Sequence, residues 1–110
     1  MSIERLQAPP SLRGIYASAI RGARARRGDR LPERELRLSA KVDPERLAAY
    51  DEVCGFRLSD RLPPTYPHIL AFPLAMSLMA GADFPFPLAG LVHVANRIRQ
   101  QRPVLLGEEL

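Results

Sequence analysis

The sequence predicts an α+β fold in which strands surround one apolar helix. Residues Glu33–Val42 alternate between apolar and polar with a period of two, which is typical of a half-buried strand. Residues Pro73–Ala80 are apolar on nearly every face, which predicts a helix buried all round. Such a helix needs a sheet to cover it, and two recognisable strands are too few. We therefore expect that a second chain completes the sheet or that the sequence is the front part of a longer protein.

The sequence also predicts two further helices, a loop and a second strand. Ser11 is placed to cap a helix whose apolar stripe runs at helical spacing from Leu12 to Ala23 and which ends near residues 26–29. Asp43 and Pro44 begin a second helix that ends at Gly55, a residue suited to the left-handed position after a helix. Residues 57–67 are rich in proline and predict a loop. Residues 91–102 predict a long strand with Val92, Val94 and Ile98 on one face.

The positive charge is concentrated at the N-terminus. The chain has 16 basic and 12 acidic residues, a net charge of +4, and all the basic residues except Lys41 are arginine. Residues 1–37 hold nine arginines against four acids, whereas residues 38–110 hold seven bases against eight acids. We therefore predict a basic N-terminal extension over residues 1–32, which contains the amphipathic helix, followed by a nearly neutral domain over residues 33–110.

Composition excludes several classes of protein. Asp83 interrupts the apolar stretch between Ile69 and Val94, so no run of 18 apolar residues predicts a transmembrane helix. The first ten residues lack the apolar core of a secretory signal. Cys54 is a single cysteine and cannot by itself build a disulfide framework or a zinc site, so a cytoplasmic location is expected. We expect no metal site and no cofactor, and we expect Cys54 to be a small buried residue.

Several segments together carry a family resemblance. They are DPERLAAY at residues 43–50, LPPTYPHILAFPLAM at 62–76, FPFPL at 84–88 and GLVHVANR at 90–97. Over residues 33–107 the chain resembles the N-terminal half of MaoC-like acyl dehydratases, hot-dog proteins related to (R)-specific enoyl-CoA hydratases. The resemblance implies a hot-dog-like fold, here incomplete, in which curved antiparallel strands wrap the helix at Pro73–Ala80.

The resemblance also implies a division of labour between two hot-dog units. In the family, the N-terminal unit shapes the pocket for the acyl chain, and the C-terminal unit carries a catalytic Asp-x-Asn-Pro-x-His signature. This chain lacks the signature, since its single asparagine is Asn96 and neither histidine has the required spacing. We therefore assign no catalytic residue. The expected function is a non-catalytic or partial unit that contributes the acyl-binding wall of an enoyl-thioester hydratase or dehydratase.

The expected partners are an acyl-CoA or acyl-carrier thioester and a second hot-dog unit, from the same chain or from a partner. Four residues are candidates for contact with the acyl thioester: Tyr66, His68, Met76 and His93. Each also has a plainer interpretation, namely a packed loop aromatic, a histidine bonded to the backbone, a core methionine and an exposed strand residue. A histidine would act as a general base only beside a carboxylate, which spacing does not show.

The arginine cluster leaves a second function open. Arg24, Arg26 and Arg27 are candidates for binding the phosphates of coenzyme A or an acidic carrier protein, although a solvated helix end explains them equally. The alternative function is a small basic module that recruits an anionic partner, with binding that weakens steeply as salt rises. Nucleic acid is not favoured as that partner, because interleaved aromatic residues and a helix-turn-helix pattern are missing.

Overall fold

The computed structural model describes residues 2–22 and 29–110, and within them it confirms the mixed α+β class. The elements are β1 (Ser2–Leu6), α1 (Leu12–Gly22), β2 (Arg34–Leu38), α2 (Pro44–Cys54), α3 (Tyr66–Ala80) and a short 3₁₀ turn (Leu88–Gly90). The chain divides into two compact units. Unit 1 comprises residues 1–38 and 71–95, and unit 2 comprises residues 39–70 and 96–110. The proposed boundary between a 1–32 extension and a 33–110 domain stays a prediction.

The sheet of unit 1 has two strands, and they are parallel. β1 pairs with β2 in a register that places Ser2 opposite Arg34 and Leu6 opposite Leu38. Sequence reasoning missed β1, and the antiparallel arrangement expected for the strands is wrong for this pair. The physical reason is the connection: α1 lies between the two strands, and a crossover helix is the usual way to join parallel neighbours.

The helix start at Ser11 is confirmed. The Ser11 hydroxyl accepts a hydrogen bond of 3.4 Å from the backbone N–H of Gly14, as expected of an N-cap residue. Ile15, on the predicted apolar stripe, is buried. The predicted helix end near residues 26–29 falls largely on residues 23–28, which lie outside the described residues.

Both ends of α2 are also confirmed. The Asp43 carboxylate accepts a hydrogen bond of 3.0 Å from the N–H of Glu45, and Pro44 occupies the first turn. At the other end Gly55 has a φ of 76° and its N–H bonds back to the last carbonyls of the helix. This positive φ is easily reached only without a Cβ, which explains the glycine.

The third helix is longer and more exposed than predicted. It begins at Tyr66, seven residues before the predicted start, and Pro73 lies inside it. Pro67 is tolerated because the N–H groups of the first turn have no partner within a helix. The expectation that residues Pro73–Ala80 are buried all round is wrong, since these residues are only half-buried and Ala75 is exposed, while the buried residue of the helix is Tyr66. The two described strands are too few to enclose it.

The strand predicted over residues 91–102 does not form in the described chain. The segment has no regular secondary structure and its side chains are exposed, with Val92 at 81% and Val94 at 91%. An alternating sequence becomes a strand only where a neighbouring strand supplies hydrogen-bond partners, and none lies beside this segment among the described residues.

Unit 2 is organised around a compact apolar cluster. Val42, Leu47, Leu62 and Tyr66 form its buried centre. The chain end packs against this cluster through residues 104–110, and it is held by antiparallel bridges from Lys41 to Glu109 and from Arg61 to Leu105. Two backbone hydrogen bonds of 2.9 Å join Ala40 and Leu110. Sequence reasoning assigned no role to this C-terminal segment.

The sequence has no apolar run that predicts a transmembrane helix, and the helices of the structure can be compared with that expectation. Across residues 2–22 and 29–110, no helix is both long enough and apolar enough to cross a bilayer.

Candidate functional site

Unit 1 contains an apolar groove of about 620 Å³. Two walls can be distinguished by their place in the chain. One wall comes from the second half of α3, and the other comes from the 3₁₀ turn and the exposed segment that follows it, with Tyr16 of α1 completing the lining. A groove of this volume and composition can take a small apolar ligand or part of a larger one.

The α3 wall follows from helical spacing. Phe72, Met76 and Met79 lie at positions i, i+4 and i+7, so one face of the helix presents all three to the groove. Two of these side chains are methionines, which are flexible and adapt to irregular apolar surfaces. This face is therefore suited to an alkyl chain rather than to a rigid polar ligand.

The second wall contains the histidine of the groove. Its residues are Leu88, Ala89, Leu91, Val92, His93, Val94 and Ala95. A proline-rich connection precedes it, in which Pro85 is buried and the rings of Phe84 and Phe86 pack edge to face at 6.0 Å. Because prolines restrict the backbone, this connection positions the second wall with little conformational freedom.

The structure brings two of the four predicted acyl-binding residues together. Met76 and His93 both line the groove of unit 1. Tyr66 and His68 belong to unit 2 and are not among the lining residues. His68 is exposed on the first turn of α3. The roles of all four residues toward an acyl thioester stay predictions.

Tyr66 is a packed residue of unit 2. It is 4% exposed, its N–H donates to the carbonyl of Pro63 at 2.9 Å, and its ring meets that of Tyr50 edge to face at 5.2 Å. Burial raises the pKa of the Tyr66 phenol, and the carboxylates of Asp43 and Asp51 add to this rise against the opposing charge of Arg46. The phenol therefore stays protonated throughout the neutral range.

The remaining predicted residues either do not line the groove or are not among the residues that the structure describes. Arg24, Arg26 and Arg27 lie outside the described residues, so their role toward phosphates stays a prediction. Cys54 is exposed, and the expectation that it is buried is wrong because it occupies the last, solvent-facing turn of α2. Among residues 2–22 and 29–110, no group of three His, Cys, Asp or Glu side chains is arranged to hold a metal ion.

Sequence reasoning missed two features that the structure places in grooves. Phe72 joins the methionine face of α3, and its spacing from Met76 was a signal that could have revealed it. Asp51 lies on α2, is 1% exposed, and borders a second groove, one in unit 2. Its position four residues after the buried Leu47 indicates the same helix face, and a carboxylate there is unusual.

Comparison with known proteins gives one informative similarity. No protein-family model and no solved structure matches the chain. The chain is 44% identical over 83 residues to 3-hydroxyacyl-thioester dehydratase X of Mycobacterium tuberculosis (strain ATCC 25618 / H37Rv). The matched residues cover 74% of this chain and 30% of that relative, so the chain spans about a third of the length of the dehydratase that it resembles.

Proposed function

We propose that the chain is part of a MaoC-like, hot-dog acyl-thioester dehydratase and supplies the wall that binds the acyl chain. The reaction itself belongs to a second hot-dog unit, because the Asp-x-Asn-Pro-x-His signature is missing here. The observation that carries the proposal is the apolar groove of unit 1, in a chain that is 44% identical over 83 residues to a thioester dehydratase.

The chemistry of the groove fits an acyl chain. Its two walls are apolar along most of their length, so transfer of methylene groups from water into the groove is favourable by about 0.8 kcal/mol for each group buried. Phe72, Met76 and Met79 supply an adaptable surface on one side. Val92 and Val94 are 81% and 91% exposed, so an alkyl chain laid along the groove would also cover apolar surface that is now in water.

His93 and Tyr16 are the residues of the lining that carry polar side-chain groups. A neutral imidazole can donate one hydrogen bond, and a thioester carbonyl can accept it. We assign His93 a role in orienting the thioester. A general base would require an oriented partner, and the lining residues of the groove include no carboxylate.

The experiment that tests this function is a binding titration of the full chain with octanoyl-CoA and with free coenzyme A. We expect saturable binding of octanoyl-CoA and weaker binding of coenzyme A. Val94→Glu places a charge in the apolar groove and should weaken octanoyl-CoA binding by at least about tenfold. The matched control is Val53→Glu on α2, since Val53 is 86% exposed and is not among the groove's lining residues.

A second measurement concerns the reaction. Hydration of crotonyl-CoA should be absent with this chain alone and should appear when a hot-dog chain that carries the catalytic signature is added. Hydration by the purified chain alone would contradict the proposal. Equal affinity of the wild type and Val94→Glu for octanoyl-CoA would show that the acyl chain does not use this groove.

A further inference from the structure

Asp51 is a buried carboxylate without a partner in the described chain. Its side chain is 1% exposed, and neither carboxylate oxygen has a hydrogen-bond partner among the side chains that the structure describes, those of residues 2–18 and 29–110. The backbone carbonyl of the same residue is satisfied, since it accepts from Phe56 at 2.8 Å. The unsatisfied group of this residue is therefore its carboxylate and not its backbone carbonyl.

An arrangement of this kind is energetically unfavourable in the isolated chain. A carboxylate removed from water loses its hydration, and folded proteins normally compensate with a cation or with several donors. Both oxygens of Asp51 can accept hydrogen bonds, so two donors from a ligand would compensate for the hydration that the carboxylate loses.

The side chain borders a groove in unit 2 of about 560 Å³. Two more acids, Glu45 and Glu52, line this groove together with the apolar residues Ala48, Ala49, Phe56 and Leu58. Phe56 and Leu58 are 42% and 74% exposed. The Phe56 ring stacks on that of Tyr50 at 6.1 Å and is held in place, whereas Leu58 is the lining side chain that can change rotamer.

The Asp51 carboxylate and the neighbouring Phe56 ring together favour one class of cationic ligand. The three acids of this groove do not form a metal site, because no three His, Cys, Asp or Glu side chains among the described residues are arranged to hold a metal ion. A guanidinium presents two parallel N–H groups in a plane, which matches the two free oxygens of one carboxylate. It is also weakly hydrated and stacks on aromatic rings, and Phe56 offers such a ring. An ammonium group matches neither feature.

We propose that the groove of unit 2 binds a partner protein by accepting one arginine side chain of that partner, whose guanidinium pairs with Asp51. Glu45 and Glu52 make the groove negative and so attract a basic partner surface before contact. This surface is distinct in its residues from the apolar groove of unit 1, so the inference does not rest on the proposed function.

The test is an NMR titration of the full chain with Nα-acetyl-arginine amide, followed through the backbone amides of Gly55 and Phe56. Parallel titrations use the lysine amide and the citrulline amide, which is uncharged but close in shape to arginine. We expect saturable shifts with arginine, weaker ones with lysine and none with citrulline. Asp51→Asn should weaken arginine binding by at least about tenfold, because a charge-assisted pair is lost.

Two further variants keep the test decisive. Glu52→Gln should weaken binding by about twofold to fivefold, as expected for an exposed charge. The matched control is Asp60→Asn, an equivalent change at an exposed aspartate of unit 2 that does not line the groove, and it should have no effect. Circular dichroism establishes that each variant is folded.

Each outcome of these titrations either supports or overturns the proposal. Self-association that Asp51→Asn abolishes would support the proposal and identify the partner as a second copy of this chain. Equal binding of arginine and citrulline amides by the wild type would overturn it, whatever the variants do. Unchanged arginine affinity in a folded Asp51→Asn variant would overturn it as well.

Discussion

The two compact units bury apolar side chains to different extents. In unit 2 Leu62 is fully buried, Leu47 is 2% exposed, and the chain end packs against them. In the described part of unit 1 Ile15 and Pro85 are buried, while Val92 and Val94 remain in water. The two units therefore differ in how completely their apolar side chains are covered. In unit 2 a segment distant in sequence, residues 104–110, covers the apolar cluster. Unit 1 has a two-stranded sheet and an open groove.

The largest effect should come from the centre of unit 2. Leu62→Ala removes a fully buried side chain and leaves a cavity, so it should lower the free energy of unfolding by about 2–5 kcal/mol. Urea denaturation measures this. The matched control is Leu58→Ala, because Leu58 is 74% exposed and its loss should change stability by less than about 0.5 kcal/mol. Equal effects of the two variants would contradict a closed cluster in unit 2.

Unit 1 should respond less to the same kind of change. Ile15→Ala should cost about 1–2 kcal/mol, below the effect of Leu62→Ala, because surroundings that are partly open relax into the space that the side chain leaves. The same urea titration measures it. A cost larger than that of Leu62→Ala would reverse the comparison and make unit 1 the better packed of the two.

Asp51 should oppose the stability of unit 2. Asp51→Asn replaces a buried carboxylate that has no hydrogen-bond partner among the described side chains with a neutral amide of the same size, so it should raise the free energy of unfolding at neutral pH by roughly 1 kcal/mol. Thermal unfolding measures the change, with Asp60→Asn as the control. Destabilisation would show that the carboxylate has a partner within the chain, and it would remove the basis of the arginine site.

The smallest effect should come from the turn that holds the chain end. Glu108 accepts from the N–H of Leu105 at 2.7 Å and from Arg102 at 3.0 Å, and these two contacts, the backbone one first, lower its pKa. The folded chain therefore binds this proton less tightly than the unfolded chain. The stabilising contribution is present above the ordinary value of 4.5 and is lost as the pH falls through the lower folded value.

Glu108→Gln should remove that pH dependence and speed hydrogen exchange at the Leu105 amide, with little change in global stability because Glu108 is well hydrated. Glu33→Gln, an exposed acid of unit 1, is the control. If exchange at Leu105 has the same rate in the variant and the wild type, the carboxylate does not hold the turn.

Local chemistry was predictable where the determinants lie within a few residues. Asp43, Pro44 and Gly55 specify the ends of α2, and Ser11 specifies the start of α1, since each acts through its own backbone or a hydrogen bond to a neighbour. The site was predictable in part. Met76 and His93 line one groove. The spacing of Phe72 from Met76 was a local signal for its place there, but the contribution of Tyr16 depends on which distant segments meet.

The sequence by itself determined the mixed class, the helix caps and the apolar character of residues 73–80, because side-chain chemistry and periodicity act locally. The tertiary structure decided what depends on distant partners. It decided that β1 pairs in parallel with β2, that the chain end covers Leu62 and that residues 91–102 have no strand partner within the described chain. It also decided that the Asp51 carboxylate is buried with no hydrogen-bond partner among the described side chains. Hydrogen-bond pairing and burial are properties of two segments together, and neither segment alone specifies them.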